Sequence, residues 1–175
     1  MRLDRAGILQ ALRALGAELS SRGIRGEMFV VGGAAMALAY SSRRVTRDID
    51  AVFEPKSAIY EAAAEIAEQL GLPDDWLNDA VKAFMPGRDE GALPIPEIEG
   101  IEVTTASASY LLAMKLIAMR FGEDEEDIEV LLRECGIDTV EQALSLLRRL
   151  YPRREPPLKT RLFLEELLEG GQRSP

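Results

Sequence analysis

The chain is 175 residues long, 47% hydrophobic and 29% charged, enough for one sizeable core or a core with a small helical appendage. Its 30 acidic and 21 basic side chains leave a net charge of −9, which excludes a broadly basic nucleic-acid surface but allows local basic patches. Histidine is absent and Cys135 is the single cysteine, which excludes Ser-His and Cys-His catalysis, His-ligated zinc and an internal disulfide.

In chain order, residues 4–22 place Ile8, Leu9, Leu12, Leu15 and Leu19 at helical spacing, with Gly23 as the stop. Met28–Val31 reads as a strand, Gly33–Tyr40 as a short helix of small residues, and Asp48–Phe53 as a second strand ended by Pro55. Ser57–Leu70 is a helix with Ile59, Ala63, Ile66 and Leu70 inward, stopped by Gly71 and Pro73. Trp76–Met85 fits either a short strand or a helix, and Pro86–Pro96, with three prolines and two glycines, reads as an exposed loop. Gly100–Thr104 is a further strand. Ser107 is the expected N-cap of a helix through Phe121, followed by a helix over Glu125–Glu134. Thr139 and Gln142 form a capping box for a helix through Leu150, and a last amphipathic helix spans Lys159–Leu168. The expected organisation is an α/β core over residues 1–105, a helical segment over 106–170 and a disordered tail over 171–175.

The amino terminus opens an amphipathic pattern rather than an apolar signal core, and the uncharged run Met28–Ser42 is 15 residues, short of the ~20 that span a bilayer. The expected setting is therefore cytoplasmic, with no membrane partner.

Two acids, Asp48 and Asp50, stand at i and i+2 on a strand, so they face one side, about 7 Å apart along it, while Ile49 and Ala51 face the other. Such a pair suits a hard divalent cation. Upstream, Gly32-Gly33 follows an apolar strand and opens a helix, where a phosphate can approach the backbone closely. Alone, an Asp-x-Asp also fits a solvated strand face and a Gly-Gly an ordinary turn. Their order and spacing, with Arg44, Thr46 and Arg47 just ahead of the acids, point together to a metal-dependent nucleoside triphosphate site.

Lys115 is the only charged residue between Val103 and Met119, and its helical neighbours Leu111, Leu112, Ala118 and Met119 are apolar. A lysine there either has an acidic partner or anionic ligand, or snorkels its amine to water. Arg43, Arg44 and Arg47 form one basic cluster beside the acids, and Arg148, Arg149, Arg153 and Arg154 a second near the carboxyl end.

The Val-Gly-Gly-x-Ala run followed by Arg-x-Thr-x-Asp-x-Asp resembles the signature of the DNA polymerase β-like nucleotidyltransferase superfamily. Within it, the form looks most like the bacterial toxin-type (AbiEii and MenT) enzymes. The likeness is strongest over Met28–Phe53 and recurs at Leu111–Leu132. It implies an α/β (α+β) fold, a small mixed β-sheet backed by helices with a helical part closing one wall of a cleft. It implies Mg²⁺ or Mn²⁺ on Asp48 and Asp50, with an NTP as substrate held by Gly32, Gly33, Arg44, Thr46, Arg47 and Lys115. Asp127, with Asp124 as its rival, would pair with Lys115 or orient the acceptor, and Glu102 is the candidate third carboxylate, with Glu99 beside it. The implied acceptor is an RNA 3′ end, in particular the tRNA acceptor stem, in a toxin that a cognate antitoxin could bind. AMP transfer to a protein partner, and a catalytically silent binding domain, are the competing readings.

Overall fold

The computed structural model describes residues 2–41, 44–96 and 98–170; Arg43 of the expected basic cluster and the tail expected over 171–175 lie outside them. The chain divides into two compact units, Met1–Phe84 with Glu90–Ala106, and Met85–Asp89 with Ser107–Pro175.

The first unit begins with α1 (Arg5–Ser21), whose N-cap Asp4 accepts a hydrogen bond from the Gly7 amide. Strand β1 (Gly26–Val30) leads into helix α2 (Gly32–Ala35), which continues as a π-helical turn over Met36–Tyr40. There the Ser41 amide bonds to the Met36 carbonyl five residues back, at 2.7 Å. Strand β2 (Ile49–Glu54), helix α3 (Lys56–Leu70) and the dipeptide strand β3 (Leu77–Asn78) follow. After a 3₁₀ turn over Ala80–Phe84 come β4 (Leu93–Pro94) and β5 (Ile101–Thr105).

These strands form one mixed sheet in the order β3-β2-β1-β5-β4. β1 runs antiparallel to β2 and parallel to β5; β2 and β3 are parallel, β4 and β5 antiparallel. Alternation explains the burial. Met28 and Val30, Ile49, Ala51 and Phe53, and Ile101 and Val103 share the buried face, while Glu27, Glu54 and Glu102 lie exposed on the other. α1 and α3 pack against each other, α1 also against β5 and α3 against β2. Ile8, Leu12, Leu15 and Leu19 supply the apolar stripe of α1, and Ile59, Ala62 and Ile66 that of α3.

The second unit comprises α4 (Ala108–Ile117), α5 (Glu125–Glu134), α6 (Val140–Leu150) and α7 (Leu158–Glu169). Ser107 caps α4 by accepting from the Tyr110 amide, while Asp89 accepts from the Ser107 amide at 2.6 Å and hydroxyl at 2.9 Å. Thr139 and Gln142 close both bonds of a capping box on α6. Leu111, Leu112, Leu116, Ile128, Leu131, Leu146, Leu147 and Leu164 make the buried core of this bundle.

Two boundaries differ from the sequence expectation. α4 stops at Ile117 rather than Phe121, because the Arg120 amide is taken by the Asp124 carboxylate at 2.8 Å. The expected loop Pro86–Pro96 contains β4, which adds two residues to the sheet opposite Thr104 and Thr105. No helix among the described residues is long and apolar enough to cross a membrane.

Candidate active site

The Asp-x-Asp segment meets the double glycine at the end of β1. The Val31 amide bonds to the Asp50 carbonyl at 2.9 Å, which sets the two segments side by side. Gly32 adopts φ +63°, in the left-handed region, and a Cβ there would lie 3.0 Å from Asp50 Oδ2. A Cβ on Gly33 would lie 2.9 Å from Thr46 Oγ1. The two glycines are thus required by two different side chains, and the Asp50 carboxylate rests directly on the turn. Val31, the N-cap of α2, makes no side-chain cap bond to the helix start.

Asp48 lies one residue ahead of β2. Its orientation is set by β3, where Asn78 pairs with Asp50 across the parallel ladder and so shares its face. The Asn78 side-chain amide donates to Asp48 Oδ2 at 3.3 Å, which brings the Asp48 carboxylate to that face as well. Both acids are half-buried. Thr46 donates its hydroxyl to the Asp48 carbonyl at 3.0 Å and bridges to Leu3 through two backbone bonds, so it shapes the segment entering β2. Arg44 is half-buried and Arg47 is exposed.

Glu102 falls elsewhere on the sheet. It pairs with Glu27 at the far end of β1, four residues from Val31, so at roughly 3.3 Å per residue it sits about 13 Å along the strand from the level of Asp50. The β5 position beyond the Val30–Thr105 pair is Ala106, whose amide bonds to the Val30 carbonyl at 2.9 Å. Among the described residues, no three acidic, histidine or cysteine side chains gather to hold a metal ion. Two half-buried carboxylates on one face, beside an uncapped helix start, nevertheless fit Mg²⁺ or Mn²⁺, which take one or two carboxylates and draw further ligands from water and phosphate.

In the second unit, Lys115 is buried with both of its expected acidic partners. Its amine lies 2.6 Å from Asp124 Oδ1 and 2.8 Å from Asp127 Oδ2, the three side chains being 8%, 3% and 5% exposed. Asp124 also accepts from the Arg120 amide at 2.8 Å and from its guanidinium at 3.3 Å. Burial alone would raise the Asp124 carboxyl, but hydrogen bonds from Lys115 and Arg120 outweigh it and hold it below the ordinary range. Lys115 is therefore neither unpaired nor snorkelling. Cys135 is half-buried, and burial pushes its thiol up, away from the nucleophilic thiolate.

Sequence reasoning did not single out Asn78, nor the cluster next to it in which Asp79 accepts from Tyr60 at 2.7 Å and pairs with Lys56 at 2.5 Å. An asparagine after Trp76-Leu77 carries no local signal; only the pairing of β3 with β2 reveals its neighbour.

The model of a family described as a nucleotidyltransferase of unknown function (DUF6036) matches residues 8–152, and the chain belongs to that family. Neither a curated protein nor a solved structure matches the chain.

Proposed function

We propose that this nucleotidyltransferase works with Mg²⁺ and a nucleoside triphosphate, that Asp48 and Asp50 hold the metal, and that its acceptor is an RNA 3′ end such as the tRNA acceptor stem. The observation that carries the reading is the contact of the Asp50 carboxylate with Gly32, with Asp48 held on the same face by Asn78. Mg²⁺, when bound, supplies positive charge to the triphosphate at the attacked phosphorus and the leaving pyrophosphate. The chain's own part is positioning. The amides that open α2 are free of a side-chain cap at Val31 and suit phosphate oxygens, and Arg47, exposed and next in sequence to the Thr46 that meets Gly33, is the cation offered to the triphosphate. The acceptor hydroxyl oxygen bonds to the α-phosphorus as the bond to pyrophosphate breaks, and the hydroxyl proton passes to solvent water.

The RNA acceptor and a toxin role follow from the likeness to AbiEii and MenT enzymes, and the exposed Arg148, Arg149, Arg153 and Arg154 of the second unit support a polyanionic partner. The net charge of −9 favours the second reading, an antitoxin-like enzyme that transfers AMP to a protein partner. Lys115 and Asp127 enter this proposal as the charge pair that secures the second unit rather than as triphosphate ligands.

Incubating the protein with Mg²⁺, each labelled NTP, total RNA and lysate protein separates the acceptors by where the label goes. Label is expected in RNA and absent with Asp48→Asn/Asp50→Asn. Equal labelling by wild type and that variant would sink the proposal, and label in protein alone would replace RNA by the second reading.

A further inference from the structure

Resting on the metal-site reading above, the geometry points to Asn78 as the positioning residue of Asp48, a neutral donor that fixes the carboxylate for the cation. The orientation of its side chain is determined by chemistry. The Ala80 amide, which can only donate, lies 3.3 Å from Asn78 Oδ1, so the other end of the carboxamide, Nδ2, faces Asp48 Oδ2 at 3.3 Å. The donor is uncharged, so it orients Asp48 without placing a competing cation where the metal would sit. A carboxylate left without such a partner rotates, and a ligand held by its outer-shell neighbour does not.

The surrounding structure holds Asn78 from both sides. Before it, Trp76 is fully buried, donates its indole N–H to the Ala63 carbonyl at 2.9 Å, and accepts the Ile49 amide at 2.6 Å through its own carbonyl. After it, Asp79 is fastened by Tyr60 and Lys56, and the hydrogen bond from Lys56 keeps its carboxyl below the ordinary range. Ala63, Tyr60 and Lys56 all belong to α3. A two-residue strand therefore has one helix gripping each flank, and the side chain it presents to the Asp48–Asp50 face is Asn78.

Mn²⁺ alone is the probe, titrated by electron paramagnetic resonance into wild type, Asn78→Ala, Asp48→Asn, Asp50→Asn and the Asp48→Asn/Asn78→Ala double variant, with thermal melts in parallel. Loss of an outer-shell partner weakens metal binding by roughly ten- to a hundredfold, and the 3.3 Å bond argues for the lower end, about tenfold, in Asn78→Ala. In the Asp48→Asn background the same change should alter affinity by less than about twofold, because the carboxylate it acts through is gone. Wild-type affinity in Asn78→Ala, or an equal loss in both backgrounds, overturns the positioning role while leaving the metal site standing. Wild-type affinity in Asp48→Asn and Asp50→Asn overturns the metal reading itself, and the role with it. A second measurement needs no Asn78 variant: the Asn78 side-chain amide resonances should shift when Mg²⁺ is added to wild type and stay put in Asp48→Asn. Unmoved resonances in wild type overturn the role.

Discussion

Replacing Lys115 by methionine tests the centre of the second unit. The substitution keeps the stem's volume and removes the one amine that Asp124 and Asp127 share at 2.6 and 2.8 Å. Removing one partner of a buried ion pair costs about 3–5 kcal/mol, because the other charge stays buried without compensation. Asp124 keeps the Arg120 amide, so the lower end, about 3 kcal/mol, is expected at neutral pH. With a urea m-value of roughly 2 kcal/mol/M, the midpoint should fall by about 1.5 M. The pH dependence follows from the sign of the Asp124 shift. In wild type its folded-state carboxyl titrates below the ordinary 3.8, so its stabilisation is present above that value and lost as pH falls through the folded pKa. In Lys115→Met, burial persists without its main opponent, so the Asp124 carboxyl rises and the variant regains stability by taking up a proton as pH falls. The gap between the two proteins should therefore be widest near neutrality and close in acid. Urea melts followed by far-UV circular dichroism at several pH values measure it. Adding Asp124→Asn and Asp127→Asn should recover most of the loss. A loss under about 1 kcal/mol at neutral pH, or one unchanged in acid, refutes the reasoning.

That triple variant also separates brace from ligand: titrated with ATP and Mg²⁺, it should bind within about twofold of wild type, whereas a loss of tenfold or more would give Lys115 the triphosphate after all. Gly32→Ala forces a Cβ onto Asp50 Oδ2 at φ +63°, so stability should drop by about 1–2 kcal/mol and Mn²⁺ affinity several-fold, read by denaturant melts and metal titration. Thr139→Ala removes the α6 capping box and should cost about 1 kcal/mol in the same melts while nucleotide transfer per folded molecule stays unchanged.

Local signals carried the helices well. Ser107 and Thr139 each cap the helix expected after them, the apolar spacing expected for α1 is the buried spacing, and on α3 Ile59, Ala63 and Ile66 are buried as expected while Leu70 is only half-buried. What the sequence could not carry was register and competition. Glu102 alternates correctly on its strand, yet its level against β1 is a property of the whole ladder, and it ends beside Glu27. The helix pattern through Met119 and Phe121 is apolar enough to continue, but the side chain of Asp124, four residues after Arg120, outcompetes the backbone for the Arg120 amide. Gly32-Gly33 was legible as a turn; that each glycine makes room for a different residue of the Arg44–Asp50 segment was not.

The outer strands of the sheet, β3 and β4, are two residues each, and β4 ends in Pro94, which has no amide hydrogen to offer. An incoming strand would find only two residues of each outer strand to pair with. The sheet is blunted at both margins, so self-association by adding strands edge to edge is disfavoured. Mutants that lengthen either margin, for instance by replacing Pro94 with a β-branched residue, are where aggregation should first emerge.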